Sequence, residues 1–364
     1  MKTVITITGI RPDFIRMSEV FRKLDIHFNH IMIHTGQHYD TYLSDAFFKD
    51  LNIRKPDFQL LTGTNTANHY EQLSYLSTNV IKCIKDNNLK PDVILFLGDS
   101  NTSAVALPLK KEGYTIGHIE AGMRSYDRRM LEEINRTVCD ICTDVFFVYH
   151  DDYKNNLIKE NIHRPIYIVG NTVVEPCINF INKLNLQSQP KKKDMILMDI
   201  HRPENFKYPI RLSKLFEFAN MLYKHYQLPV KCLYFPRLAS AIKENKINIG
   251  DVEIIPLLSF PEYITTVYHS KVLLSDSGTG QEEPALLETP VIVPRDFTER
   301  QQSYDANCSI KLEVQNNLQI EFEKIQEWIS KYENRSFNID TTWLGDGITS
   351  QKIIDGLHAF LKEI

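Results

Sequence analysis

The stretch GHIEAGMRSYDRRMLEEINRTVCD, residues 117–140, brings three glutamates and four arginines together around the end of an apolar run. Charged side chains are rarely buried unless they are paired or used. Glu120 follows IGHI directly, at the end of an expected strand, and Glu132 and Glu133 open the helical pattern behind it. FLGDSNTSAV, residues 96–105, ends a second apolar run in Gly98-Asp99. Asp99 could cap the helix that starts near Thr102, or stand one sheet position from Glu120. Three carboxylates around one site suit proton transfer, because mutual repulsion raises some of their pKa values, so that one donates while another accepts. Arg124, Arg128, Arg129 and Arg136 are then available to pair with them or to bind phosphate. A solvated loop of alternating charges fits the same spacing.

Other strand ends carry comparable side chains. TGIRPDFIR (8–16) reads as strand, turn and helix, with Pro12 in the first helical turn and Arg11 at the strand's end. The alternative for Arg11 is a surface side chain in a loop. LLSDSGTGQEEPALLE (273–288) leaves a buried strand through Ser-Asp-Ser-Gly and predicts a helix from about Gly280. Free N–H groups and the helix dipole there suit an anion such as a pyrophosphate, with Ser277 as a donor and Gly278 allowing close approach. Glu282 and Glu283 could accept from a ribose diol or cap the helix. The loop is neither a dinucleotide fingerprint nor a Walker A sequence. MDIHRPENF (198–206) places His201 at another strand end, suited to phosphate or a leaving group, or to a structural hydrogen bond.

The elements that must position these residues are short β-branched runs separated by helical periodicity. Runs at 3–9, 30–36, 92–99, 116–122, 144–150 and 166–171 read as buried parallel strands. After the polar segment QSQPKKKD, strands resume at 195–201, 230–236, 252–258, 271–278 and 290–294. Alternating β and α predicts doubly wound sheets, and 364 residues exceed the roughly 250–300 at which single cores stop growing. The division expected is 1–172, 173–347 and a C-terminal helix over 348–364, free to pack back on the N-terminal domain. Ligands in such sheets sit at the carboxyl ends of the strands, here in a cleft between two domains.

A net charge of −4 gives no reason to expect nucleic acid or an anionic membrane as partner. No apolar run reaches the ~18 residues of a membrane helix. The start MKTVITITGIRPDF reads as a strand and turn rather than a signal peptide. Six cysteines in this length make no disulfide framework, so a soluble, cytoplasmic protein with reduced thiols is expected. Cys139 and Cys142 form a C-x-x-C, readable as a redox pair or half a zinc site. The helical spacing of Ile134, Val138 and Ile141 instead makes those the core positions, with the cysteines packed between them.

Taken together, GIRPDFIRM, HTGQHYD, GDSNTS, HIEAGMRS, EEINR, GNTVVE, HRPEN, SDSGTGQEE and RDFTER resemble the non-hydrolysing UDP-N-acetylglucosamine 2-epimerases, in the family's order, over residues 8 to about 312. The resemblance implies a GT-B fold, two Rossmann-like doubly wound parallel-sheet domains with the site in an interdomain cleft, and a homodimer. It implies no cofactor, neither NAD nor metal. The reaction it implies interconverts UDP-GlcNAc and UDP-ManNAc for polysaccharide synthesis, by elimination of UDP to 2-acetamidoglucal and re-addition. By position, Asp99, Glu120, Glu132 and His201 match the family's catalytic residues. Arg11, Arg16, Ser277, Gly278 and Glu283 match its UDP contacts, and Tyr263 its aromatic on uracil; Arg136 joins the substrate-binding set. Gln37 and His38 resemble part of an activator site for a second UDP-GlcNAc. Asp13 replaces the common Glu, Arg16 the common Lys, Leu131 the common Pro and Thr279 a second Gly. These departures leave open a UDP-2-acetamido-2,6-dideoxy-L-hexose of the L-rhamnosamine, L-quinovosamine or L-fucosamine type as substrate. A GT-B glycosyltransferase, a hydrolysing epimerase and a non-catalytic UDP-sugar sensor are the competing functions.

Overall fold

The computed structural model describes residues 1–36, 45–60 and 68–363. The chain forms two compact units, Met1–Pro176 with Leu344–Ile364, and Cys177–Trp343. The sequence reading puts these boundaries at 172/173 and 347/348.

The first unit is built on β1 (Thr3–Thr8), β2 (Asn29–His34), β3 (Phe58–Gln59), β4 (Val93–Leu97), β5 (Ile116–Ile119), β6 (Val145–Val148) and β7 (Ile166–Ile168). Their order is β3-β2-β1-β4-β5-β6-β7, and every pairing is parallel. Helices cover both faces of such a sheet, so its strands must be apolar throughout; every residue of β4 is buried. Helix Arg11–His27 turns Phe14, Met17, Val20, Phe21 and Leu24 inward at helical spacing, with Pro12 in its first turn. The C-terminal helix Thr349–Glu363 packs back on this unit. The Lys23 ammonium donates to Gln351 at 2.8 Å, and the His358 ring stacks on Phe28 with centroids 4.7 Å apart.

The second unit carries β8 (Met195–Asp199), β9 (Val230–Leu233), β10 (Val252–Ile255), β11 (Ser270–Ser275), β12 (Val291–Val293) and β13 (Ser309–Lys311) in the order β10-β9-β8-β11-β12-β13, again all parallel. Two Rossmann-like units of this kind make the GT-B fold expected from the resemblance. In each sheet the order reverses at one point, between β1 and β4 and between β8 and β11. Ligands of open α/β sheets bind at such switch points, and most of the candidate residues lie there. Strands β3 and β13, two and three residues long, have no counterpart in the sequence reading. Among the described residues no helix is long and apolar enough to cross a membrane.

Candidate active site

In the first unit, Arg11, Asp99 and Glu120 stand just beyond the carboxyl ends of the neighbouring strands β1, β4 and β5. Glu120 adopts a left-handed backbone, φ 67°, which is uncommon for a residue with a Cβ and stores strain. Its carboxylate is buried in an ion pair with Arg16, whose guanidinium also donates to the Tyr149 hydroxyl at 3.2 Å. Gly98, φ 66°, leads into Asp99, and a Cβ there would lie 3.1 Å from Glu120 Oε1. That close approach is why a glycine precedes Asp99.

Asp99 keeps 23% side-chain exposure and pairs with Arg136. Arg136 is wholly buried and also reaches Glu133 Oε2 at 3.3 Å and the Met123 carbonyl at 3.4 Å. The resemblance puts Arg136 in the substrate-binding set; in the structure its guanidinium is engaged by Asp99 and Glu133. Arg16, with 11% side-chain exposure, likewise has Glu120 as its first duty. The expected repulsion among Asp99, Glu120 and Glu132 is also revised, since two of the three carboxylates each meet a guanidinium. The raised acid is Asp13, which the sequence marks only as a replacement for the family's common Glu. Burial pushes Asp13 up to about 6, against the Gly9 and Ile10 N–H groups and Arg16, which lower it, while the Asp99 charge adds to the rise. Asp13 Oδ2 accepts from Gly9 N at 2.8 Å and Ile10 N at 3.1 Å, fixing the turn that presents Arg11. The Arg11 guanidinium lies over the Phe47 ring, 5.2 Å from its centroid.

The remaining charges of 117–140 mostly pair with one another. Glu133 accepts from Ser125 N (2.9 Å), Ser125 Oγ (3.0 Å) and Tyr126 N (3.0 Å), closing the loop before helix Leu131–Cys142. Arg129 pairs with Asp127, and Arg124 with Asp140 and Glu160. Glu132, beside Glu133 in the first turn, stays partly exposed. The helix faces opposite to the expectation for its apolar residues. Ile134 and Ile141 are 45% and 62% exposed, while Glu133, Arg136, Cys139, Asp140 and Cys142 are buried. Ion pairing with the strand ends outweighs the burial of two isoleucines. Both cysteines belong to the apolar core.

In the second unit, β8 runs into His201 and β11 into Asp276-Ser277-Gly278. Asp276 is fully buried and accepts from His201 N (3.0 Å), Arg202 N (3.0 Å) and Asn205 Nδ2 (2.8 Å), tying the two strand ends together. His201 Nδ1 bonds Asp199 Oδ1 at 2.9 Å, and the ring packs on Phe235. Burial works against a charged ring here, but Asp199 and Asp276 outweigh it and hold the pKa above its ordinary value.

The loop after β11 differs from the expected helix N-terminus. A 3-10 turn, Thr279–Gln281, precedes a helix of only four residues, Glu283–Leu286, too short for much of a dipole. What lies under the loop is Arg300. A Cβ at Gly278 would sit 2.7 Å from its Nη1, and the guanidinium is fixed by Glu282 and Glu299, each at 2.5 Å. Of the expected pair, Glu282 is engaged by Arg300. Ser277 Oγ lies 3.4 Å from Thr279 Oγ1, and Ser277 N donates to Ser275 Oγ at 3.1 Å. Tyr263 belongs to helix Phe260–His269; burial, with the nearby charges of Glu283, Asp199 and Cys177, raises its phenol well above the ordinary value. Gln37 and His38 lie outside the described residues.

Comparison with known proteins gives the family. The family model for UDP-N-acetylglucosamine 2-epimerase matches residues 22–358, nearly the whole chain. This chain belongs to that family. A UDP-N-acetylglucosamine 2-epimerase of Methanococcus maripaludis is 35% identical over 324 residues, covering 84% of this chain and 86% of that one. The crystal structure of the Methanocaldococcus jannaschii UDP-GlcNAc 2-epimerase in complex with UDP-GlcNAc and UDP superposes with a TM-score of 0.86 at 29% identity, covering 99% of this chain and all of that one. Within the same range of similarity, a UDP-2,3-diacetamido-2,3-dideoxy-D-glucuronate 2-epimerase of Pseudomonas aeruginosa is 32% identical, covering 81% of this chain and 84% of that one. Epimerisation at C2 is thus common to relatives whose sugars differ.

Proposed function

We propose that this protein interconverts UDP-GlcNAc and UDP-ManNAc without hydrolysing either. The observation that carries the proposal is the pair Asp99 and Glu120, at the ends of adjacent strands and each beside a buried guanidinium. In the forward step the C1–O bond breaks with its electron pair leaving on UDP, and a carboxylate acting as base takes the C2 proton, whose bonding pair forms the C1–C2 double bond of 2-acetamidoglucal. In the return step a proton is delivered to the opposite face of C2, and a UDP oxygen bonds C1.

The C2 proton is weakly acidic, so departure of UDP must lead, and the leaving diphosphate needs charge and donors. His201 suits this duty, because Asp199 and Asp276 favour its protonated form and hold Nδ1, which directs Nε2 away from them. Ser277 and the loop at Gly278 add donors, Glu283 accepts from the ribose, and Tyr263 packs on the uracil. Arg11 and Arg16 carry positive charge toward the phosphates. Asp99 and Glu132, the more exposed acids, exchange the proton with the sugar, while Glu120 holds Arg16 in register. The same reading has the enzyme working as a homodimer in the cytoplasm, which suits six free, buried cysteines.

A time course by NMR tests the assignment. Purified protein with UDP-GlcNAc alone should generate UDP-ManNAc with no acceptor, NAD or added metal. Free N-acetylmannosamine would point to a hydrolase, and no change without an acceptor to a glycosyltransferase.

A further inference from the structure

The acids of the first unit are held by a device that the reaction itself does not use. His118 is the third residue of β5, wholly buried, with Phe96 of β4 and Phe146 of β6 as its strand neighbours. Its Nδ1 lies 2.7 Å from Asp140 Oδ1 and its Nε2 2.8 Å from the Gly98 carbonyl. Asp140 extends the clamp. Its Oδ2 accepts from Gly122 N at 3.2 Å and from Arg124 Nη2 at 2.7 Å, and Arg124 is gripped by Glu160 at 2.6 and 2.8 Å. The carboxylate of one helix residue thus reaches both sides of Glu120, and the ring reaches the carbonyl just before Asp99.

We propose that His118 and Asp140 are positioning residues that set the distance between the Asp99 and Glu120 strand ends, and that turnover depends on this clamp. The proposal rests on the epimerase reading above for what Asp99 and Glu120 do. A carbonyl oxygen only accepts, and a carboxylate already bonded to an N–H and a guanidinium also accepts, so both ring nitrogens must donate. The ring is therefore an imidazolium. Together with Arg124 it balances Asp140 and Glu160, giving two cations and two anions in a closed set. The ionisable groups facing the ring are Asp140 and Cys139, both on helix Leu131–Cys142. Burial alone lowers the ring's pKa, but these neighbours raise it to about 10. Of the backbone the clamp holds, Glu120 takes a left-handed φ that is unfavourable for a residue with a Cβ, while Gly98 and Gly122 supply the positive φ of the flanking turns without that cost. Without the clamp, Gly98 and Gly122 lose the partners that keep those turns closed.

The test compares His118→Asn and Asp140→Asn with wild type, each scaled to its folded fraction. Misplacing a reacting group by about 1 Å costs on the order of 100-fold. Each variant should lose roughly 10–100-fold in kcat, with UDP affinity within about 3-fold, because the UDP-binding loop is on other strands. The double variant should lose little more than either alone, since one clamp is broken in each case. A merely structural role would lower Tm and leave kcat per folded molecule unchanged, which overturns the proposal. If His118→Asn fails to fold, Asp140→Asn carries the same comparison. A second reading is independent of activity: nitrogen NMR of wild-type His118 at pH 7.5 should show both ring nitrogens protonated. One bare nitrogen overturns the clamp even in an active enzyme. A doubly protonated ring in a protein that epimerises no UDP-sugar overturns the dependence of turnover, by failure of the epimerase reading and not of the clamp geometry.

Discussion

Replacing Gly278 by alanine probes the phosphate loop most sharply. The added methyl would lie 2.7 Å from Arg300 Nη1 and 3.0 Å from its Cζ. Reaching an ordinary contact near ~3.5 Å requires a movement of about 0.8 Å. Arg300 cannot supply it cheaply, because Glu282 and Glu299 hold its Nε and Nη1 at 2.5 Å and all three side chains are buried. The loop must therefore lift. Overpacking of this kind costs about 1–3 kcal/mol, which for a unit of this size lowers Tm by roughly 3–9 °C. Lifting the loop also misaligns its donors to the diphosphate. Losing one hydrogen bond to a charged oxygen, about 1.5–3 kcal/mol, weakens UDP by roughly 10–100-fold. Titration calorimetry with UDP and a melting curve read the two effects separately. A lower Tm with unchanged UDP affinity would mean that Arg300 moves and the loop does not. An alanine variant with wild-type values for both would refute the packing argument.

Four further outcomes follow. Asp13 is raised in the folded state, so between its ordinary 3.8 and about 6 the folded protein holds a proton that the unfolded chain has released. Stability therefore falls as pH rises through that window, by up to about 3 kcal/mol, and Asp13→Asn should be the more stable protein at pH 8 but not below pH 4, as urea unfolding would register. Asp99→Asn and Glu132→Gln should cut turnover by about 10²–10⁴-fold with UDP affinity nearly unchanged; near-normal rates in both would remove these two acids from the proton transfer. Glu120→Gln should lose both turnover and stability, because removing one partner of a buried pair costs about 3–5 kcal/mol, and a thermal melt equal to wild type would contradict the ion pair with Arg16. On substrate choice, kcat/KM for UDP-GlcNAc should exceed that for UDP-2-acetamido-2,6-dideoxy-L-hexoses by more than ~10²-fold. The reverse preference would change the sugar while leaving the mechanism in place.

Much of the architecture was legible because parallel strands covered on both faces must be continuous apolar runs. Such runs end where ligands bind, so the residues after them were the right ones to consider. Asp99, Glu120, His201 and Ser277 could be placed at strand ends by that rule alone. What escaped was set by which elements lie side by side. His118 reads as one more strand residue until β4 is known to flank β5 and Asp140 to lie above both. Asp13 looks like an ordinary first-turn acid, and only burial makes it a weak one. The apolar spacing of Ile134 and Ile141 points to the wrong face of their helix, because Arg136 and Asp140 claim the buried face through Asp99 and His118. Glu282 and Glu283 are adjacent in sequence, but Glu282 meets Arg300, eighteen positions further along the chain.

Elimination and re-addition make a direct demand on the C2 hydrogen. The C2 hydrogen leaves the sugar as a proton, and the new one arrives on the opposite face. Running the reaction on UDP-GlcNAc in D₂O and examining C2 of the product by NMR measures this directly. The account predicts UDP-ManNAc carrying deuterium at C2, with UDP and 2-acetamidoglucal accumulating slowly on long incubation. UDP-ManNAc that retains the original hydrogen at C2 would contradict it.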